Sequence, residues 1–304
     1  MNAIVENPPL TEHLGFAGRP RWLVDLQEIG REYWQYRDLL YQLTLRDIRV
    51  RYKQTVMGFG WALLMPMLIV LSGLVVRYAM AYLSGTELEA RAMMGVALKA
   101  IPWAFFVGAI GFANTSLITN TNLVTKIYFP REVLPVSATL AQAFDSLVGA
   151  AALSLVLPFL GVPFSANLLW VPVLALLLFL FTAAAALFLS CANLFFRDVK
   201  YIVQVVLTFG IFFTPVFFEP ALFGAMGAKI LMLNPLSPIL EGIRLSMGEG
   251  HNLLYMLVQS SSTGERVIIW SPWYLTYTVA WAVLGLLGGS LFFHRLEALF
   301  AEYA

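Results

Sequence analysis

The chain has 304 residues, a net charge of +1, 60% hydrophobic residues and 12% charged residues. Soluble domains carry about 25% charged residues, so this composition excludes a soluble protein and predicts a polytopic membrane protein. The basic residues form no patch for nucleic acid beyond membrane flanks, and the single cysteine, Cys191, excludes an intrachain disulfide.

Residues 1–20 are predicted to form a flexible arm, because Pro and Gly interrupt them repeatedly. They contain no apolar core of signal-peptide length, so we expect the first membrane span to serve as an internal signal. A charged amphipathic stretch follows over residues 21–37. Its Trp22, Trp34 and Tyr36 suit the level of lipid headgroups.

A basic amphipathic segment then leads into the first span. Tyr41, Leu45, Ile48 and Tyr52 recur at steps of three and four, which predicts the apolar face of a helix. We interpret this segment as an interface helix that lies on the cytoplasmic surface. The alternative is an ordinary basic flank that only sets membrane orientation. The charged and polar residues assigned to the interface helix are Arg46, Asp47, Arg49, Arg51, Tyr52 and Lys53.

Six apolar segments reach the roughly 20 residues that a membrane helix needs. They predict an all-α polytopic membrane protein with spans at about 56–82, 101–124, 133–160, 168–193, 201–218 and 273–293. Residues 84–99 are predicted to be a polar connection. Residues 219–271 form an outer region, in which short apolar runs up to Leu245 predict re-entrant helices and residues 251–271 a polar loop. The resulting domains are a cytoplasmic arm with the interface helix (1–54), a six-span domain (55–294) and a cytoplasmic tail (295–304).

The distribution of Lys and Arg predicts the orientation. With the N-terminus in the cytoplasm, most basic residues fall on the inner side, which places both termini in the cytoplasm. Four tryptophans would then lie at the outer interface, in agreement with this orientation: Trp103, Trp170, Trp270 and Trp273.

Polar side chains inside predicted spans are candidates for a functional path. Asn114, Thr119 and Asn122 belong to the polar inner half of the second span, and Asp145 lies within the third. Such groups either hydrogen-bond between helices or line a water-filled path. For Asp145 the structural alternative is a partner on a neighbouring helix.

The sequence lacks the signatures of an enzyme. It has no phosphate loop of the G-x-x-x-x-G-K-[ST] type, and His13, His251 and His294 are not spaced as a metal site. It also has no nucleophile elbow. With Asp145 and a peripheral Arg77 as the intramembrane charges, a proton-driven carrier is disfavoured. Uphill transport would need energy from another subunit.

Four segments together resemble the membrane subunits of ABC-2 type exporters, especially those that export bacterial polysaccharides. The segments are Leu45–Lys53 (LRDIRVRYK) leading to Gly58–Trp61 and Pro66, Asn120–Arg131 (NTNLVTKIYFPR) followed by Leu134 and Pro135, Asn193–Val199 (NLFFRDV), and Asn234–Pro238 (NPLSP) with Arg244. The resemblance covers the chain from about Leu39 to its end.

The resemblance implies a homodimer that binds two copies of a separate cytosolic ATPase. ATP and magnesium would be bound by that partner, so no cofactor is expected in this chain. Two inner loops would dock on the ATPase, through Lys126, Ile127, Tyr128, Phe129, Pro130, Arg131, Glu132, Arg197 and Asp198. We also consider Lys200 for the second contact.

The expected cargo is a lipid-linked polysaccharide such as an O-antigen, exported across a bacterial inner membrane. Aromatic rings of the fifth span could stack on sugar rings: Phe209, Phe212, Phe213, Phe217 and Phe218. The alternative for these rings is packing or contact with lipid. Alternative cargoes within the same fold are capsule, teichoic acid, lipid or drug. A stand-alone channel or secondary carrier is the alternative from another class.

Overall fold

The computed structural model describes residues 21–53, 60–85, 90–127, 129–156, 165–260 and 266–300. The helices and strands of these residues are α1 (Arg21–Gln35), α2 (Arg37–Tyr52), α3 (Gly60–Ser84), α4 (Ala90–Thr119), α5 (Thr121–Lys126), α6 (Val133–Val156), α7 (Trp170–Phe195), α8 (Val199–Gly210), α9 (Gly224–Met232), α10 (Leu236–Gly248), β1 (Leu257–Ser260), β2 (Arg266–Trp270) and α11 (Trp273–Leu296). The predicted all-α polytopic class is confirmed. The predicted arm over residues 1–20, residues 157–160 of the third span and residues 301–304 of the tail lie outside the described residues.

Five helices among the described residues are long and apolar enough to cross a membrane: α3, α4, α6, α7 and α11. The predicted fifth span, residues 201–218, differs from them. Its helix α8 has 12 residues, about 18 Å at 1.5 Å per residue, and a series of turns follows it up to Val216. Pro215 accounts for the break, because it has no N–H to donate and disfavours helical backbone at Thr214.

The second span is longer at its start than predicted. Helix α4 begins at Ala90, so the connection predicted over residues 84–99 is in large part helical. Lys99 therefore lies inside a membrane helix with 1% of its surface exposed. At the other end, the helix stops at Thr119, and Asn120 separates it from the short α5.

The bundle has two ends, each with its own packed cluster. The tail end carries α1, α2, α5 and residues 294–300, and its cluster joins Leu43, Val124, Phe129, Cys191 and Phe300. The hairpin end carries α9, α10 and the antiparallel pair β1–β2. Its cluster is built around Trp270, Leu240 and Leu174.

The hairpin end contains the largest departures from the sequence prediction. The polar loop predicted over residues 251–271 contains the β1–β2 hairpin, in which Val267, Ile269 and Trp270 are buried. Trp270 donates its indole N–H to the carbonyl of Leu253 at 2.8 Å. Trp270 and Trp103 are core residues rather than the interface anchors predicted, because each is almost completely buried. The short helices α9 and α10 agree with the predicted short outer segments.

Buried charges fasten α10 to α4. The Glu241 carboxylate lies 2.6 Å from the Arg244 guanidinium and 3.7 Å from the Lys99 ammonium. Lys99 also donates to the carbonyl of Phe218 at 2.9 Å, and Arg244 reaches Glu249 at 2.6 Å. Charges this deeply buried are tolerated when they are paired, so the network fixes α10 and the end of the α8 segment on α4.

We predict that helices α7 and α11 separate when Gly289 is replaced. A Cβ at Gly289 would lie 3.0 Å from the carbonyl oxygen of Ala184 in α7, whereas a Cβ at Gly288 would meet no atom of the described residues within 4 Å. Gly289→Leu should therefore lower the free energy of unfolding by about 1–3 kcal/mol through overpacking. Unfolding titrations in mixed micelles measure this, with Gly288→Leu as the matched control. Equal stability of the two variants would contradict the close packing.

Candidate functional site

Helix α2 is attached to α6 by a largely buried ion pair. The Arg51 guanidinium donates to the Asp145 carboxylate at 2.6 Å and to the Gln142 side chain at 2.8 Å. The Tyr52 hydroxyl donates to the other carboxylate oxygen of Asp145. The same guanidinium lies 3.8 Å from the centre of the Phe112 ring, which adds a cation–π contact.

This pairing changes how the interface helix is understood. Asp47 accepts from Ser137 at 3.3 Å near the start of α6, and Arg51 reaches Asp145 near its middle. The C-terminal end of α2 therefore extends to the level of mid-α6. Of the predicted apolar face, Tyr41 is 61% exposed, whereas Leu43 is the buried residue. Leu45, Ile48 and Tyr52 of that face are partly buried, so the prediction was wrong for Tyr41. Asp47 and Arg51, one and two turns beyond Leu43, have partners on α6 and turn the helix toward Leu43.

A cavity of about 480 Å³ lies beside the ion pair. Helices α3, α4, α6 and α8 supply its walls, and Arg51, Tyr52, Gln142 and Asp145 supply its polar groups. A second, more polar cavity of about 280 Å³ lies between α4 and α8. The two cavities share Val107, Leu207 and Thr208. They thus form one groove, which we call the α4–α8 groove.

The polar wall of this groove comes from residues one turn apart on α8. Lys200, Gln204 and Thr208 recur every four residues and share one helical face. Asn114 and Thr115 of α4 line the opposite wall. Sequence reasoning missed Gln204 and Thr208, although their four-residue spacing from Lys200 was the available signal. Amides, hydroxyls and one ammonium are groups that hydrogen-bond to polyols and to anions.

The predicted path residues do not all lie in the groove. Asn114 and Asp145 line it. Asn114 is also a helix-packing residue, because its carbonyl accepts from Asn193 at 2.8 Å. Thr119 and Asn122 are exposed near the tail end.

The predicted aromatic residues divide into two groups. Phe209, Phe212 and Phe213 are exposed on the surface of the protomer. Phe217 is 4% exposed and packs in the core, and Phe218 contacts it edge-on at 6.2 Å. These two rings therefore belong to the protein interior, because the turns after Gly210 direct the chain back onto α4.

The two predicted docking loops lie together at the tail end. Their exposed side chains are Lys126, Ile127, Arg197 and Asp198, with Lys200 beyond them. Phe129, Pro130 and Glu132 face inward, and Tyr128 lies outside the described residues. Docking stays a prediction for the exposed set. The inward set has partners within the chain that leave it little surface for another protein.

Arg131 closes the first loop onto the rest of the tail end. Its guanidinium donates to the carbonyl of Val124 at 3.1 Å and to the carbonyl of Glu297 at 2.8 Å. Its backbone N–H donates to the Glu297 carboxylate at 2.8 Å. Next to it, burial and the nearby Glu297 carboxylate raise the pKa of Glu132 to about 8, partly offset by a hydrogen bond from Tyr33.

Comparisons with known proteins agree on one family. The sequence profile described as ABC-2 type transporter matches residues 38–247. The chain is 30% identical over 212 residues to the O-antigen export system permease protein RfbA of Myxococcus xanthus, covering 68% of this chain and 78% of that protein. A Klebsiella pneumoniae protein of the same name is 28% identical over 228 residues, covering 73% and 85% of the two chains. A further Klebsiella pneumoniae protein of that name is 26% identical over 209 residues, covering 67% and 77%.

We predict that Arg51 and Asp145 are strongly coupled energetically. Arg51→Met leaves a carboxylate without its cation, and Asp145→Asn leaves a guanidinium without its anion; each should cost about 3 kcal/mol of unfolding free energy. The double variant should recover at least half of that loss, because neither buried charge remains and the amide introduced at position 145 would still accept from Tyr52. Unfolding titrations in mixed micelles measure the coupling.

The matched control is the exposed pair of Arg37 and Asp38, 3.9 Å apart. Arg37→Met should change stability by less than about 1 kcal/mol. Additive losses in the Arg51 and Asp145 cycle would show that the pair does not attach α2.

We also predict a pH-dependent stability from Glu132. Its pKa is raised from 4.5 in the unfolded chain to about 8 in the folded chain, so the folded state binds the proton more tightly. This contribution is complete below pH 4.5 and is lost as the pH rises to 8. Glu132→Gln does not lose this contribution. The unfolding midpoint of the variant, measured relative to that of the wild type, should therefore be higher at pH 8 than at pH 5 by at least about 2 °C. Asp38→Asn, on the exposed side of α2, is the control; the same pH profile in wild type and Glu132→Gln would refute the assignment.

Proposed function

The chain belongs to the ABC-2 type transporter family, and we propose that it is the permease subunit of an exporter that moves a lipid-linked, O-antigen-like polysaccharide out of the cytoplasm. It is a transport component rather than an enzyme. The proposed complex contains two copies of this chain and two copies of a cytosolic ATPase, which binds ATP and magnesium. The proposed location is a bacterial inner membrane.

One observation carries the proposal. Three relatives that cover at least two thirds of this chain are all named as O-antigen export permeases, and the family match begins in α2 and ends within the last turn of the buried helix α10. The family match thus extends over helices α3 to α9, the loops between them and nearly all of α10. The alternative of a stand-alone carrier finds no support in these relatives.

The tail end has the properties that an ATPase partner requires. Lys126, Ile127 and Arg197 are exposed, while the residues that follow or precede them are anchored in the cluster of the tail end. A short, anchored loop transmits a displacement to its helices, whereas a long loop absorbs it. The mixture of cations with one apolar side chain also suits a protein surface that carries carboxylates.

The cargo is proposed to move along the α4–α8 groove and the exposed rings beside it. Polar groups line the groove near Lys200, and Phe209, Phe212 and Phe213 are exposed further along the chain. Hydroxyl groups of a glycan can hydrogen-bond to the first set, and its apolar ring faces can pack on the second. The exposed faces of α3 and α8 support the proposed pairing of two copies, which would enclose such a path.

The proposed orientation places the tail end in the cytoplasm. Lys126, Arg131, Arg197, Lys200 and Arg295 lie at that end, in keeping with the excess of basic residues in cytoplasmic loops. The hairpin end would then face outward. ATP hydrolysis at the tail end would drive the glycan toward the hairpin end.

We predict that reversing the charges of the docking loops removes the ATPase. In the double variant Lys126→Glu/Arg197→Glu, the exposed cations that would meet the partner's carboxylates become repulsive. Co-purification in mild detergent should show an ATPase in about equal amount with the wild type and at least tenfold less with this variant, a change of about 1.4 kcal/mol or more. Glycan export in cells should fall in parallel.

The matched control reverses two exposed charges at the opposite end, in Lys229→Glu/Arg266→Glu. It should retain the ATPase. Wild-type protein that purifies alone and still transports would refute the exporter proposal. Normal export of glycan in a strain that lacks the chain, with accumulation of a drug or lipid instead, would refute the proposed cargo.

A further inference from the structure

The last three residues of α11 and the segment after it contact both predicted docking loops. We call residues 294–300 the tail wedge. Glu297 of the wedge accepts the backbone N–H of Arg131 on its carboxylate at 2.8 Å and a guanidinium N–H of Arg131 on its carbonyl, also at 2.8 Å. The first loop is thus held by two partly buried hydrogen bonds that Arg131 donates to a single wedge residue.

The wedge contacts the second loop through an aromatic ring. Phe300 is fully buried, with its ring centre 4.9 Å from that of Phe293 in α11 and 5.9 Å from that of Phe195. Phe195 is the last residue of α7, directly before the exposed Phe196, Arg197 and Asp198. One ring therefore fixes the base of the second loop against α11.

Helix α1 covers the wedge from the other side. Asp25 lies 3.0 Å from Arg295, and Glu28 lies 3.7 Å from His294. Tyr33 donates a hydrogen bond to Glu132 of the first loop. Helix α1 and the wedge both lie outside residues 38–247, the part that matches the family profile. The contacts between α1 and the wedge are therefore formed by parts of the chain that the family profile does not cover.

We propose that the tail wedge positions the two docking loops relative to each other, with Glu297 and Phe300 as its positioning residues, so that both loops and α11 move as one body when the ATPase acts. This inference rests on the proposed function, because it assumes that the loops receive the ATPase. A displacement of either loop then reaches α11 directly. Without the wedge, each loop would move separately against the bundle.

The chemistry of Glu297 supports a positioning role. Burial and the nearby Glu32 carboxylate raise the pKa of Glu297. The Arg131 guanidinium and its backbone N–H oppose this effect. A partly buried carboxylate close to other carboxylates is destabilising by itself. At Glu297 this cost is accompanied by the hydrogen bonds that fix the position of Arg131.

The test compares Glu297→Ala, which removes the side-chain oxygen that accepts the backbone N–H of Arg131, with Glu297→Gln, which keeps a side-chain acceptor there. Leu299→Ala changes an exposed residue of the same segment and is the matched control. Two quantities are measured for the full chain: amide hydrogen exchange of residues 126–132 and 195–200 in the permease, and ATP consumed per glycan exported by the complex. Phe300→Ala provides a second, independent disruption.

We expect Glu297→Ala to speed exchange in both loops about tenfold and to raise the ATP consumed per glycan about threefold or more, with the ATPase still bound. Glu297→Gln and Leu299→Ala should behave as wild type. Faster exchange in the first loop alone would overturn the inference. An unchanged ratio of ATP to glycan would also overturn it, provided that ATP hydrolysis by the wild-type complex drives glycan export. A wild type that binds no ATPase would instead overturn the proposed function, while the exchange measurement would still report on the wedge.

Discussion

A charge that enters a membrane-spanning bundle must find a counter-charge there, because water is absent and the cost of an unpaired ion is several kcal/mol. Arg51 meets this requirement in Asp145, so that the last turn of α2 can lie beside the middle of α6. Ion pairs also join elements at both ends of the bundle. Lys99, Glu241 and Arg244 join α4 to α10 at the hairpin end, and Arg131 with Glu297 joins a loop to the tail. The Arg51–Asp145, Lys99–Glu241 and Arg131–Glu297 pairs each connect elements that are distant in sequence. Apolar contacts are non-directional, so these ion pairs define the relative positions of the helices more closely than apolar packing does.

The position of α2 determines what the α4–α8 groove can be. Arg51 and Tyr52 close one side of its larger cavity, and Pro215 ends α8 early enough that the exposed phenylalanines lie beyond the polar stripe. The smaller cavity of the groove carries ammonium, amide and hydroxyl groups, and the larger cavity presents aromatic and aliphatic side chains beside the Arg51–Asp145 pair. A glycan has both hydroxyl-rich edges and apolar ring faces, and a surface of this kind can contact both without a deep, specific pocket. That combination suits a polymer that must slide rather than stay bound.

Apolar runs and motif order predicted the class, the family and the positions of α3, α6, α7 and α11 closely, because hydrophobic length is a local property of the sequence. The errors arose where a distant partner decides the outcome. Trp270 was predicted to be an interface residue, but its indole N–H donates to the carbonyl of Leu253 in the core. Lys99 was predicted to lie in a loop, but it pairs with the buried Glu241. At the site, Asp145 was found from its charge alone, whereas its partner Arg51 was assigned to a surface helix. Gln204 and Thr208 were missed because two polar residues in an apolar helix carry little signal without the facing wall of α4.

The arrangement of the tail end also explains why its loops are so short. A loop that is only to connect two helices can be long and variable, since each doubling of its length costs about 0.6 kcal/mol. Here Phe129 and Glu132 are buried, and Arg131 is hydrogen-bonded to Val124 and Glu297, so the first loop is part of the packed interior while Lys126 and Ile127 remain outside. Phe195 and Phe300 do the same for the second loop. In the proposed exporter, loops built in this way would convert a push on a few exposed side chains into a displacement of α5, α7 and α11. Burying Glu132 and partly burying Glu297 costs stability, which fits an end of the bundle where stiffness matters more than stability alone.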